Sequence, residues 1–281
     1  MKILISGLAV VAIGSCIALR SADGDGQERG PKVSACATPV LSPSLLEHRN
    51  ALYGDLALGT ALHRLGKLGA SLEGASLEDD GASALRDILE YDANRKRLGT
   101  RSEYWVALAG LRTQTGDPVG ATLAARHLIE LGSSDARASY VGWRILDELG
   151  ERAPSRASGS AVLGVILELC VTNGYTFVGT FADGTVELVP HCNTTSLDDG
   201  QTATQVRALV REASKIATKL KHGSGRPLPK VGEALFTLLT PRGPRVLRTR
   251  MSDLIAEHGD MAPLFGAANR LIATVTSKPA R

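Results

Sequence analysis

Aromatic residues supply only 4% of this 281-residue chain, so any core must be built mainly from aliphatic side chains. Cysteine is scarce as well. The four cysteines form no Cys-x-x-Cys and no paired Cys/His spacing, which removes the usual basis for a structural zinc. The chain also lacks a Gly-rich phosphate loop, a Gly-x-Ser-x-Gly elbow, a His-Glu-x-x-His pair and a Ser-x-x-Lys. No motif therefore points to a nucleotide, a metal or a serine nucleophile, and no cofactor is expected. Nucleic acid is not an expected partner either, because the basic segments carry no interleaved aromatics for base stacking.

What is present begins at the first residues. Lys2 precedes an apolar stretch, Ile3 to Leu19, broken only by small residues such as Ser6, Gly7, Gly14 and Ser15, and Arg20 opens a polar segment. A positive start, a short apolar core and small residues near its end predict a secretory signal over residues 1–20. At about 17 residues the run stands at the lower limit for crossing a bilayer, and its Gly and Ser content argues against a permanent anchor helix. Ile13-Gly14-Ser15-Cys16 resembles the lipobox of bacterial lipoproteins, which implies that Cys16 becomes the lipid-bearing first residue of the mature chain. Ile17, Ala18 and Leu19 depart from that pattern by continuing the apolar run, and ordinary cleavage after Ala18 is the other route. Both routes imply export, to a lipid-anchored place in the cell envelope or to a secreted or periplasmic one. Membrane contact would then come only through the lipid anchor or an uncleaved signal.

Apolar residues make up 43% and charged residues 22% of the chain, values of a folded globular protein with room for two modest domains. The net charge of +3 is unevenly placed: Thr202 to Arg281 holds fourteen Lys and Arg against five Asp and Glu. Residues 21–43, with Asp23-Gly24-Asp25-Gly26 and Gly30-Pro31, are expected to form a flexible tether. From 44 to 151 apolar residues recur at helical spacings and predict a helical domain, as a bundle or hairpin. Ser102 is expected to cap a helix that places Trp105, Leu108 and Leu111 on one side, and Pro118 to open the next. Trp105, Leu108, Gly116, Ala121 and Ala125 give residues 102–132 a resemblance to a tetratricopeptide-type helical hairpin, although no second full repeat aligns.

Residues 152–160, small and polar with Pro154 and Gly159, read as a linker to an α+β domain over 161–281. Period two replaces the helical period there. Ala161 to Val171 is an apolar run, Asn173-Gly174 and Asp183-Gly184 mark tight turns, and Tyr175, Phe177 and Phe181 alternate with Thr176, Val178 and Thr180. These signals predict a three-strand meander. Val206, Leu209, Val210, Ala213 and Ile216 then predict an amphipathic helix over 203–220, whose opposite side carries a basic face of Arg207, Arg211, Lys215 and Lys219. A hairpin follows around Pro241-Arg242-Gly243-Pro244, and a last helix spans about 263–275. The expected fold class is α+β: a helical bundle or hairpin, then an antiparallel sheet in the order βββ-α-ββ-α with helices on one face. Leu163, Val165, Leu167, Phe177, Leu209 and Ile216 are expected to share one core.

Phe181-Ala182-Asp183-Gly184-Thr185, Pro227-Leu228-Pro229, Phe236-Thr237-Leu238-Leu239-Thr240 and Pro263-Leu264-Phe265 together resemble an uncharacterised bacterial α+β domain family over about 165–275. The chain departs from that family after the third strand, where His191-Cys192-Asn193-Thr194-Thr195-Ser196 replaces a Gly/Ser-rich loop. The resemblance implies a fold and no activity.

The loop from 189 to 200 is the one dense group of reactive types, with His191, Cys192, Ser196, Asp198 and Asp199. Adjacent residues of an extended segment point apart, so His191 is a poor base for Cys192. The leading expectation is a non-catalytic exported or lipid-anchored envelope protein, an interaction module for a protein partner or an anionic lipid surface. A hydrolase centred on the 189–200 loop is the alternative. With Cys16 lipidated or removed, Cys36, Cys170 and Cys192 remain, enough for one bridge. Cys170 ends the first strand and Cys192 follows the third, two strand spacings or about 9.6 Å away. A curl after Val189 would bring them within bridging range, so a Cys170–Cys192 disulfide is expected, with Cys36 free.

Overall fold

In a computed structural model of the chain, residues 41–54, 65, 79–90, 95–96, 98–151, 153, 161–171, 174–189, 195–197, 200–223 and 225–276 are described. The expected signal, residues 21–40 of the expected tether, and Cys16, Cys36, His191, Cys192, Asp198 and Asp199 lie outside them, while the tether's last residues, Ser42 and Pro43, already belong to the start of a helix. Ser42 accepts the Leu45 N–H and Pro43 takes the first helical position, so α1 runs Pro43–Leu52. α2 (Asp79–Glu90), α3 (Ser102–Gln114), α4 (Pro118–Glu130) and α5 (Ala136–Glu148) follow. Ser102 does not cap α3. It is already the first helical residue, and Arg101 holds the cap position with no side-chain bond. Asp117 and Asp135 cap α4 and α5 through the N–H groups of Gly120 and Ala138. Gly142 lets α5 lie close on α4, since a Cβ there would stand 2.6 Å from the Ala125 carbonyl oxygen.

The sheet has strands β1 (Gly164–Val171), β2 (Gly174–Phe181), β3 (Val186–Val189), β4 (Thr195–Leu197), β5 (Lys221–His222), β6 (Glu233–Thr240) and β7 (Gly243–Arg250). Their order is β4-β3-β2-β1-β6-β7-β5, with antiparallel neighbours throughout. Helices α6 (Gly200–Ile216), α7 (Met251–Ala256) and α8 (Ala262–Thr276) complete the architecture. The fold class is α+β, helices first and an antiparallel sheet after them. The meander gains a fourth strand, β4, and the short elements β5 and α7 add to the predicted order. At the β2–β3 turn the Asp183 carboxylate accepts the Thr185 N–H while Gly184 adopts φ 102°.

Alternation along β1 sends its side chains to two covered faces. Val165, Leu167 and Leu169 join Val178, Phe236 and Leu238 under Val206, Leu209 and Ala213 of α6 and Phe265, Leu271 of α8. Ile166 and Cys170 join Tyr175, Phe177, Phe181 and Leu239 on the other side, against Leu52 and Tyr53 of the α1 end and Ala136 and Tyr140 of α5. The central strands are thus buried on both faces. Phe177, expected beside Leu209, belongs to the opposite layer, and Leu163 packs with it. α2, α3 and α4 build a further core around Leu89, Tyr104, Leu108 and Leu128. Among the described residues no helix is long and apolar enough to cross a membrane.

Candidate functional site

The basic face stands in the open. Arg207, Arg211, Lys215 and Lys219 are all exposed on the side of α6 and its 3-10 extension away from the sheet. Glu212 is the one acidic residue of α6. Its carboxylate receives two hydrogen bonds from Lys215 Nζ, at 2.8 and 2.9 Å, and lies 3.6 Å from Arg211 Nε. Lys215 chiefly holds that carboxyl below the ordinary glutamate range. The face therefore keeps a clear positive excess.

Cys170 carries a free thiol in this structure and forms no bridge. Its side chain points into the layer between the sheet and α1, where it meets the Tyr175 hydroxyl, and burial pushes the thiol pKa up. Between the ends of the expected reactive loop, Val189 in β3 and Gly200 in α6, the described residues are Thr195, Ser196 and Leu197, strand β4 paired with β3. Among the described residues no three His, Cys, Asp or Glu side chains group as metal ligands.

Sequence reasoning missed a buried polar cluster at the centre of the sheet. Glu168 is fully buried in β1, and Arg49 of α1 reaches it with Nε at 2.7 Å and Nη2 at 3.1 Å. The Tyr53 hydroxyl donates to Glu168 Oε1 at 2.9 Å and lies 3.1 Å from the Thr237 hydroxyl. Arg49 Nη2 also donates to the Arg226 carbonyl at 2.9 Å. Arg226 in turn lays its guanidinium over the Tyr53 ring, 4.4 Å from the centroid. Burial first, then the Glu168 charge, drives the Tyr53 phenol pKa well up, so this hydroxyl stays protonated and donates. One signal could have revealed the cluster: Glu168 is a lone acid inside the apolar run Val165–Val171, which a strand covered on both faces tolerates only with a partner.

Arg226 also borders a cleft. α5 contributes Tyr140, Trp143, Arg144 and Asp147, facing the glycines Gly223 and Gly225 and the β6–β7 turn around Pro241. The cavity holds about 290 Å3. A second of about 370 Å3, bordered by His222 and Arg242, adjoins it through Asp147 and Pro241. Arg144 Nη1 donates to the Tyr53 carbonyl at 3.4 Å, and its Nε lies 3.5 Å from Glu148. Partial burial, then the charges of Arg245 and Arg242, lower the His222 pKa, with Asp147 opposing them. At neutral pH His222 is therefore uncharged. Compared with known protein families, with curated proteins and with solved structures, the chain matches none.

Proposed function

We propose that this is an exported, non-catalytic binding module of the cell envelope, lipid-anchored through Cys16 or released by cleavage near Ala18, whose α6 face meets an anionic lipid surface. The observation that carries this is the joint exposure of Arg207, Arg211, Lys215 and Lys219 against the single carboxylate of Glu212. Four cations less one anion leave three charges, each contributing about 1 kcal/mol near an anionic leaflet. The sum of about 3 kcal/mol corresponds to a partition on the order of 100-fold over a neutral surface. Lipidation at Cys16 is compatible with that geometry. The residues between Cys16 and Pro43, at up to about 3.5 Å each when extended, exceed the depth of three layers stacked at about 10 Å.

Cosedimentation of the soluble mature chain with vesicles is the test. Binding to phosphatidylglycerol-containing vesicles is expected over pure phosphatidylcholine, weakening steeply as salt rises. The triple variant Arg207→Glu/Arg211→Glu/Lys215→Glu, all at exposed positions, should abolish it. Equal binding to both vesicle types, or an unaffected variant, overturns the proposal.

A further inference from the structure

The two adjoining cavities between α5 and the β6–β7 turn lie on the sheet face opposite α6, and their walls combine three features that a mere crease between layers does not need. The first is charge. Arg144, Arg226 and Arg242 border them, while Asp147 is the one bordering carboxylate among the described residues. Desolvation, and after it the charges of Arg245 and Arg242, depress the His222 pKa, so these two guanidiniums add to the positive charge beside the second cavity. Guanidinium forks match the two oxygens of a carboxylate or phosphate, and a concave wall of them concentrates anions.

The second feature is preorganisation. Arg226 is held from both ends, by the bond from Arg49 to its carbonyl and by its stack on the Tyr53 ring. The ring is itself fixed through its hydroxyl to the fully buried Glu168. Arg144 is steadied by the Tyr53 carbonyl and by Glu148. Ordering these side chains has already been met by the fold, so a ligand loses less entropy on engaging them.

The third is shape and polarity. Tyr140, Trp143, Pro241 and Pro244 give the first cavity an apolar wall, and Gly223, Gly225 and Gly243 line it without side chains. At about 290 and 370 Å3 the two spaces suit small molecules. Asp147, which borders both, would repel a simple anion. It favours a ligand that brings a hydroxyl or ammonium donor to it while its oxyanion meets the arginines.

We propose that this cleft binds a small organic anion, a phosphate ester or carboxylate that also carries a hydroxyl or ammonium donor. The arginines take the oxyanion, Asp147 accepts from the donor, and Trp143 with the prolines covers the carbon skeleton. The site is independent of the α6 face and needs no lipid.

Isothermal titration of the soluble mature chain, without vesicles, provides the test with three probes: glycerol phosphate, lactate and inorganic phosphate. One-site saturable binding is expected for glycerol phosphate or lactate, whichever names the oxyanion source, and at least tenfold weaker binding for inorganic phosphate. Arg242→Gln, on an exposed turn residue that the core does not use, should weaken the binding about tenfold. Asp147→Asn should erase the preference over inorganic phosphate, and the α6 charge-reversal variant should leave all three titrations unchanged. Failure of every probe to saturate overturns the proposal, as does undiminished affinity in both Arg242→Gln and Arg226→Gln.

Discussion

Arg49 and Glu168 set the energetics of the middle of the molecule. Their side chains are 5% and 0% exposed, so each charge depends on the other and on the Tyr53 hydroxyl for the solvation that water would supply. Arg49→Met should therefore cost about 3–5 kcal/mol, because it strands a buried carboxylate. The double variant Arg49→Met/Glu168→Met should recover most of that loss, since an apolar pair of similar volume needs no partner. Urea denaturation of the two variants checks it. A single-variant loss below about 1 kcal/mol would mean that water reaches the pair. The sequence displayed Glu168 plainly but not its partner, which lies 119 positions away in another element. A contact of that separation leaves no local period or spacing to read, so the cluster and the cleft behind Arg226 were both invisible. The basic face was visible because its four residues recur every fourth position on one helix.

At the scale of elements, legibility follows length, except for the four-residue β3, which the Asp183-Gly184 turn signal marks. β1, β2, β6, β7, α6 and α8 each run eight residues or more, enough for a period of two or 3.6 to register against the turn signals around them. β4, β5 and α7, at three, two and six residues, are too short to show a period. Alternation also fixes which residues share a face without saying what covers that face. Tyr175, Phe177 and Phe181 share a layer as the alternation predicts, yet the aliphatic run of β1 serves two layers, and only tertiary packing assigns α6 to one of them. Leu209 is 1% exposed beneath that layer, whereas Ile216, at the helix end, is only partly buried. Leu209→Ala should cost about 2–5 kcal/mol and Ile216→Ala clearly less. Thermal and urea unfolding would measure both. A loss below about 0.5 kcal/mol for Leu209→Ala would place α6 off the sheet.

For the whole molecule, the decisive relation is between the helices before residue 151 and the sheet after it. Composition marked 152–160 as a linker, yet Leu52, Tyr53, Ala136 and Tyr140 share one buried layer with Ile166, Phe177 and Phe181. Polar ties cross the same boundary: Asp183 accepts the Ala136 N–H at 2.7 Å, and Arg137 pairs with Glu187 at 2.5 Å. Separating the two parts would bare an apolar sheet face, a cost that neither part recovers alone. The chain should accordingly unfold in one cooperative step, for which its residues supply independent reporters. Both tryptophans, Trp105 and Trp143, lie in the helices, whereas Cys170 is buried in the sheet. In a Cys36→Ser/Cys192→Ser variant of the mature chain, Cys170 becomes the sole thiol once Cys16 is lipidated or removed. Tryptophan fluorescence and pulsed labelling of that thiol, followed across a urea gradient, should then give coincident midpoints. Labelling of Cys170 at markedly lower urea than the fluorescence change, or the reverse order, would show two units that fold separately and would break the link between the buried cluster and the cleft that rests on it.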